Sequence, residues 1–353
     1  MAAKPHKSAK HPHPAEIGAI HKSWDGRVRI ALVYPNRYHV GMSNLGFQSV
    51  YRLFNEYDHV VCERAFLPES SDKQPTVIKT LESGKRLLDT DIIAFSLSFE
   101  NDYPHILSIL DNIGLPLRAE QRGDRHPLLI AGGVTSFLNP EPIAAFFDCF
   151  FIGEAEAVLP RFLDVFEPGH GRRTILEKIA AEVPGAYIPA FYDVEYHRDG
   201  TLADVKPLAA VPAEVKRAYL KDLTDTATCS AILTPDTAFD QTHLIEVARG
   251  CPHGCRFCAA GFVYRPPRFR PTPSLAEDID RASARTDRIG LVGAAVSDLP
   301  EIDKLCGQFH DKRIRISFSS LRADRLTPGL LAALKQSKVK TATIAPEAGT
   351  DRL

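Results

Sequence analysis

Apolar runs of strand length, each followed by a helix-length amphipathic segment, recur through most of this 353-residue chain and restrict its fold more than any other feature. RIALVYP, HVVCERAFL, DIIAFSLSF, LLIAGGV and CFFIGEAEA occupy the first half. Each ends in polar or glycine-bearing residues, and such alternation builds a five-stranded parallel α/β sheet covered by helices. After the first run, GMSNLGFQSVYRLFNEY places Leu45, Val50, Leu53 and Phe54 at helical spacing, with Ser43 or Asn44 as the cap. Open sheets bind ligands beyond the carboxyl ends of their strands, so NRYHVGMSN, SFENDYP, GGVTSFLNPEP and GEAEA are the informative loops. Gly132 and Gly133 read first as a tight turn and second as a place where a ligand can approach the backbone.

The pattern weakens between residues 167 and 242, where Pro168, Pro184, Pro189, Pro207, Pro212 and Pro235 interrupt it and Asp199-Gly200 marks a hairpin. Regular alternation resumes at residue 243. HLIEVARG, RIGLVGAA, RIRISFSS and KTATIAPEAG read as four further strands of a parallel sheet or barrel. Ser274 and Glu277 make a capping box for the helix after the first of these, Ile302, Leu305 and Phe309 share one face of the next, and Thr327-Pro328 opens the third. The expected organisation is a disordered tail over 1–25, a first domain over 26–166, a connector over 167–242 and a second domain over 243–353. A barrel that stopped after its fourth strand would leave an unpaired edge, which predicts that the chain is a fragment of a longer protein.

Hydrophobic content of 44% and charged content of 25% are those of a globular protein, and a net charge of -1 gives no reason to expect a nucleic-acid or acidic-lipid surface. The tail carries His6, His11 and His13 but lacks the apolar run of a secretory signal, and it reads as solvated. No stretch approaches the ~18 consecutive apolar residues of a membrane span. Seven cysteines, three of them within eight residues, do not form a secreted disulfide framework, so the expectation is a soluble protein of the reducing cytoplasm. Cys62, Cys149, Cys229 and Cys306 lie in apolar or featureless surroundings and are assigned packing, not chemistry.

The segment ARGCPHGCRFCAAGF spaces Cys251, Cys255 and Cys258 as C-x-x-x-C-x-x-C at the carboxyl end of the first strand of the second domain, where parallel α/β enzymes place their chemistry. Three thiolates on one short loop can ligate three irons of a cubane cluster and leave the fourth without a protein ligand. Gly250 and Gly254 relieve the backbone and Pro252 restricts it. The competing reading is a structural zinc site completed by His253 or a distant residue. Zinc ribbons use two separated C-x-x-C pairs, and no second pair occurs in this sequence.

GCPHGCRFC resembles the signature of the radical S-adenosylmethionine (SAM) superfamily, including the aromatic Phe257 before the third cysteine. RIGLVGAAVSD, SFSSLRAD and TIAPEAGTDRL are similar to that superfamily's second-, third- and fourth-strand segments. The resemblance implies a radical SAM partial barrel in which Cys251, Cys255 and Cys258 hold a [4Fe-4S] cluster, SAM chelates the open iron, and its reductive cleavage gives a 5'-deoxyadenosyl radical. It also implies Phe257 beside the adenine and Ser320, Arg322 and Glu347 as polar contacts to SAM. Arg322 suits a carboxylate through two parallel hydrogen bonds, although a surface ion pair accounts for it equally well from the residue alone. Where the family carries Gly-Gly-Glu after the second strand, this sequence has Gly293-Ala294-Ala295, so Gly293 and Ala294 stand beside the cofactor and Ser297 or Asp298 substitutes for the glutamate.

The first domain resembles the Rossmann-like (flavodoxin-like) cobalamin-binding domain that precedes the barrel in one branch of the superfamily, through YPNRYHVGMSNLGFQSVY, LIAGGVTSFLNPEP and FIGEAEAVLPRF. That branch's Asp-x-His-x-x-Gly motif is absent: Arg37 replaces the aspartate, Met42 the glycine, and His39 is the nearest histidine. Cobalamin held without an axial histidine and a domain that binds none are both compatible with these residues. The resemblance implies an enzyme that draws electrons from a flavodoxin or ferredoxin. A non-catalytic cobalamin- or metal-binding sensor is the alternative, and a zinc-stabilised structural protein a third; the substrate and reaction type are not written in the sequence.

Overall fold

The structure is a computed structural model that describes residues 15–68, 77–309, 312, 314–338, 342–345 and 350. The histidines of the first fourteen residues and Glu347 lie outside the described residues.

In the first half the chain runs β1 (Val28–Arg37), α1 (Tyr38–Met42), α2 (Leu45–Asn55), β2 (Val60–Leu67), β3 (Ile92–Ser96), α3 (Tyr103–Ile113), β4 (Leu128–Gly132), α4 (Val134–Leu138), β5 (Cys149–Phe151) and α5 (Ala155–Val165). There follow α6 (Arg172–Glu182), β6 (Ala186–Tyr187), β7 (Tyr192–Tyr196) and β8 (Leu202–Pro207). The five expected strands form a parallel sheet in the order β2-β1-β3-β4-β5, the flavodoxin-like winding. A sixth strand, β6, adds antiparallel to β5; with two residues after a turn at Gly185 it is too short to be read from sequence. The run from Ile30 to Tyr34 is buried along both faces, which is why it reads as continuous apolar sequence and not as an alternation. The Asn44 side chain accepts the Phe47 amide at 2.8 Å and caps α2. Gly200 turns the β7–β8 hairpin with φ +83.

Residues 15–25 do not behave as the expected tail. Glu16 accepts from both terminal nitrogens of Arg64 at 2.8 and 2.7 Å, and Arg64, only 1% exposed, is held on its other side by Glu82 and stacks 5.0 Å from the Tyr51 ring. Lys22 donates to the carbonyls of Asn55, Tyr57 and Val60, and Trp24 donates to Glu63. A buried guanidinium requires carboxylate partners, and the chain before β1 supplies one of them. That demand is invisible until Arg64 is known to be buried.

The second half runs β9 (His243–Glu246), β10 (Ala248–Arg249), α7 (Ala260–Val263), β11 (Arg268–Phe269), α8 (Thr272–Ser283), β12 (Arg288–Val292), α9 (Ile302–Gln308), β13 (Arg315–Phe318), β14 (Leu321–Arg322), α10 (Pro328–Gln336) and β15 (Ile344–Ala345). Strands β13, β12 and β9 form a parallel sheet in that order, over a separate core that includes Ile245, Leu291 and Leu305. The first expected strand divides at Val247: β9 pairs with β12, whereas β10 turns away to pair with β11. The fourth pairs through β15 with β14 and not with β13, because the third expected strand breaks after Phe318.

Thr327 caps α10 as expected, but the Ser274 capping box does not form. Pro273 suits the first turn of a helix, so α8 begins at Thr272 and Ser274 falls inside it. Residues of the connector stitch the halves together: Ser230 donates to Leu244, Glu246 to Thr228, and Ile17 and Leu233 bridge. Among the described residues no helix is long and apolar enough to cross a membrane.

His243, buried at the start of β9, carries a pH dependence. Burial, reinforced by Arg285, pushes its imidazole down to about 4 from the usual 6.5. Above pH 6.5 it is neutral folded and unfolded alike; between 6.5 and about 4 only the unfolded chain takes up the proton, so stability falls as pH falls. The loss across that window is expected to reach about 3 kcal/mol. Urea unfolding from pH 7 to 4 should show this slope in the natural chain and not in His243→Leu.

Candidate active site

The three cysteines sit on the tip of a hairpin. β10 and β11 form its base, with Arg249 paired to Arg268 in register, and residues 250–267 make the excursion between them. Gly250 begins it with φ +83, and a Cβ there would collide with the Tyr264 carbonyl, so the hairpin closes only over glycine. Gly254 is not needed in the same way, since a Cβ would meet only the Arg265 guanidinium at 3.5 Å. The Cys258 amide donates to the Cys255 carbonyl at 3.1 Å.

All seven cysteines are free thiols. Cys62, Cys149 and Cys306 are buried in the cores, as packing residues should be, whereas Cys251, Cys255 and Cys258 are half-buried on the loop. Among the described residues no group of three or more His, Cys, Asp or Glu side chains converges as a ready metal site. The donor set nonetheless suits an iron-sulfur cluster, with three accessible thiols within eight residues and a backbone already reversed at Gly250. It does not suit zinc with His253 as the fourth ligand. The His253 ring is taken by the Asp298 carboxylate at 2.6 Å and by the Arg322 guanidinium.

This loop rims a cavity of about 620 Å³ between the carboxyl ends of the two sheets. From the first sheet come Asn44, Leu53, Ser98, Gly132 and Phe137; the four informative loops all contribute. From the second come Gly250, Ala260, Tyr264, Gly293 and Ala294. Phe137 and Tyr264 meet edge to face across the junction with ring centres 5.8 Å apart. Of the paired glycines, Gly133 has φ +115 and a Cβ on it would strike the Leu97 backbone, while Gly132 faces open space. One is a packing requirement and the other a point of approach.

Gly293 is fixed by the Ser319 hydroxyl, which accepts from its amide at 3.1 Å and donates to its carbonyl at 2.9 Å. Ala294 follows it on the cavity wall. Ser297 is buried and accepts the Arg322 amide at 3.0 Å. Arg322 pairs with Asp324 at 2.6 Å and Asp298 at 3.4 Å, so its guanidinium is committed to carboxylates of the protein. The Ser320 carbonyl accepts from Val296 at 3.2 Å. Phe257 stands 80% exposed on the loop. The structure thus joins Gly293 and Ala294 to the cavity and joins Arg322 to the loop through His253; it leaves Ser297, Ser320 and Phe257 off the cavity wall, and of the cysteine loop Gly250, Ala260 and Tyr264 line the cavity while the three thiols do not.

The floor of the cavity carries charges that sequence reading passed over. Glu154, just before α5, Glu156, in the first turn of α5, and Glu246 all pair with Arg249, and Glu154 also pairs with Arg268. Thr228 donates to Glu156 and accepts from Arg249. Burial alone would raise the Glu156 carboxyl, but Arg249 outweighs it and holds the group below its usual range. Burial would likewise lower Arg249, and Glu246 and Glu156 reverse that, so its pKa is raised. The available signal was GEAEA itself, two acids beside an apolar strand with no base nearby in sequence.

Two family models match the chain: "Radical SAM proteins, N-terminal" over residues 46–189, and "Radical SAM superfamily" over residues 245–353. The chain belongs to the radical SAM superfamily. Its radical SAM segment includes the cysteine hairpin and every described strand of the second sheet except the start of β9. An uncharacterized protein of Methanocaldococcus jannaschii, MJ0966, is 31% identical over 328 residues, which are 92% of this chain and 61% of that protein. A solved structure of the radical SAM methyltransferase TsrM from Kitasatospora setae, with tryptophan substrate and a SAM analog bound, superposes with a TM-score of 0.53 at 12% identity. It covers 92% of this chain and 60% of its own, so the chain spans about three fifths of the length of each relative. At that identity the likeness is one of fold.

Proposed function

We propose that this chain carries the cofactor site of a radical SAM enzyme, in which Cys251, Cys255 and Cys258 hold a [4Fe-4S] cluster that reductively cleaves SAM and the cavity takes the substrate. The observation that carries the reading is the position of the cysteine hairpin on the rim of a cavity whose wall also includes Gly293 and Ala294. When bound, the cluster supplies the electron that breaks a carbon-sulfur bond of SAM. The protein's own contribution is placement. The thiols would ligate three irons, small residues at 250, 293 and 294 keep the cavity wall near the hairpin unobstructed, and the Phe137–Tyr264 contact would help exclude water. Phe257, Ser320, Arg322 and Glu347 are the proposed contacts to SAM, and Arg322 must exchange a carboxylate partner to make one.

The electron source we propose is a protein of the flavodoxin or ferredoxin class, in the reducing cytoplasm that seven free thiols suit. A second reading, cobalamin in the same cavity, draws on its position over the β1/β3 switch point of the first sheet. His39 does not support axial ligation, since it pairs with Asp236 at 3.1 Å away from the cavity. The test is anaerobic reconstitution, reduction with SAM present and assay for 5'-deoxyadenosine. Its formation supports the enzyme, and its absence despite an intact cluster favours the sensor. Titration with hydroxocobalamin, followed by its visible spectrum, separates the two uses of the cavity.

A further inference from the structure

We infer that Glu154 is a positioning residue for the cysteine hairpin: one buried carboxylate of the first domain grips both feet of the loop that carries the three thiols. This rests on the reading above only for what the loop holds. Arg249 donates to Glu154 Oε2 at 2.9 Å, and Arg268 donates to Oε2 at 3.0 Å and Oε1 at 2.7 Å. Those arginines face each other across the base of the hairpin, two residues before Cys251 and ten after Cys258. Two guanidinia brought together out of water repel, and the hairpin closes because a carboxylate lies between them.

Glu154 is itself immobilised. Its amide donates to Ala218, and its Oε2 accepts from the Leu220 amide at 3.1 Å. Arg268 also reaches carbonyls of the hairpin, at Pro266 and Tyr264, so the grip extends from the foot into the excursion. Glu156 and Glu246 fill the remaining donors of Arg249. Three carboxylates against two guanidinia leave one negative charge in excess at the base of the hairpin. The first domain is therefore part of the cluster site: it fixes the distance between the strands from which the loop springs.

The experiment compares Glu154→Gln with Glu82→Gln, which removes an equally buried carboxylate from Arg64 in the same domain without touching the hairpin. Hydrogen exchange on the protein as isolated should quicken about tenfold or more over residues 248–270 in Glu154→Gln. In Glu82→Gln those residues should exchange as in the natural chain. After reconstitution, Glu154→Gln should change the electron paramagnetic resonance of the reduced cluster and release iron to a chelator faster, and Glu82→Gln should do neither. If Glu154→Gln yields no folded protein, Arg268→Lys, which keeps the charge and loses the fork, is read by the same measurements. Exchange over 248–270 that is unchanged, or quickened equally by both glutamate variants, overturns the inference. If the natural chain assembles no cluster, the exchange comparison still decides the role of Glu154, and only the identity of the loop's cargo fails.

Discussion

Alanine at any one of Cys251, Cys255 or Cys258 is expected to remove the visible absorbance of the reconstituted protein and to lower bound iron from roughly four atoms per chain to well below one. A cubane held by three thiolates loses a whole corner with each substitution, and no fourth cysteine stands on the hairpin to replace it. Because these thiols are half-buried and outside both cores, the same substitutions should move the unfolding midpoint of the apoprotein little. Alanine at the fully buried Cys62 or Cys149 should do the opposite, costing about 1 kcal/mol of stability and leaving the cluster intact. Iron and acid-labile sulfide assays on the five variants, paired with denaturant unfolding, check the contrast. Retention of the absorbance by all three loop variants would refute the ligand assignment.

Arg249→Met should be among the most destabilising single substitutions in the chain. It leaves Arg268 to compensate Glu154 but strands Glu156 and Glu246 in a site where their side chains are 16% and 18% exposed. Uncompensated charge of this kind costs about 3–5 kcal/mol. The variant should also lose a pH dependence. In the natural chain Arg249 holds Glu156 below its usual range, so the stability this contributes is lost as pH falls through the carboxylate region. Without Arg249, burial, the largest influence on that carboxyl, is opposed only by hydrogen bonds from the Glu156 amide and Thr228, the carboxyl shifts upward, and the stability it contributes no longer falls with pH as it does in the natural chain. Unfolding free energies of the two proteins, followed from pH 7 to pH 3, should therefore converge, the His243 contribution being common to both. Parallel curves would show that Glu156 does not depend on Arg249.

Much of the architecture was legible because it is local. The five runs from RIALVYP to CFFIGEAEA are strands buried on both faces, and burial on both faces is what continuous apolar sequence encodes. Asn44, Thr327 and Asp199-Gly200 act through hydrogen bonds or dihedrals within a few residues of themselves, so composition sufficed to place them. Ser274 misled because a second, equally local signal, Thr272-Pro273, starts the helix two residues earlier. The breaks after Val247 and Phe318 depend on which neighbour a strand finds, and the sequence of a strand does not name its partner.

The site divides in the same way. The cysteine spacing and its place after a strand are properties of fifteen consecutive residues. The charges at the base of the hairpin are not: Glu154 and Arg249 are 95 positions apart, and Glu154 and Arg268 are 114 apart. Neither acid nor base is unusual where it stands, and the pairing exists only because the carboxyl edges of two sheets face each other across one cavity. The anchoring of residues 15–25 through Glu16 to Arg64 escaped notice for the same reason.

The central claim is that three thiolates leave one iron corner open for SAM. Electron paramagnetic resonance of the reduced, reconstituted protein with and without SAM tests it most directly. A cubane spectrum whose g values shift when SAM is added is the predicted result; purified protein that contains zinc without sulfide, or a cluster whose spectrum ignores SAM, would contradict it.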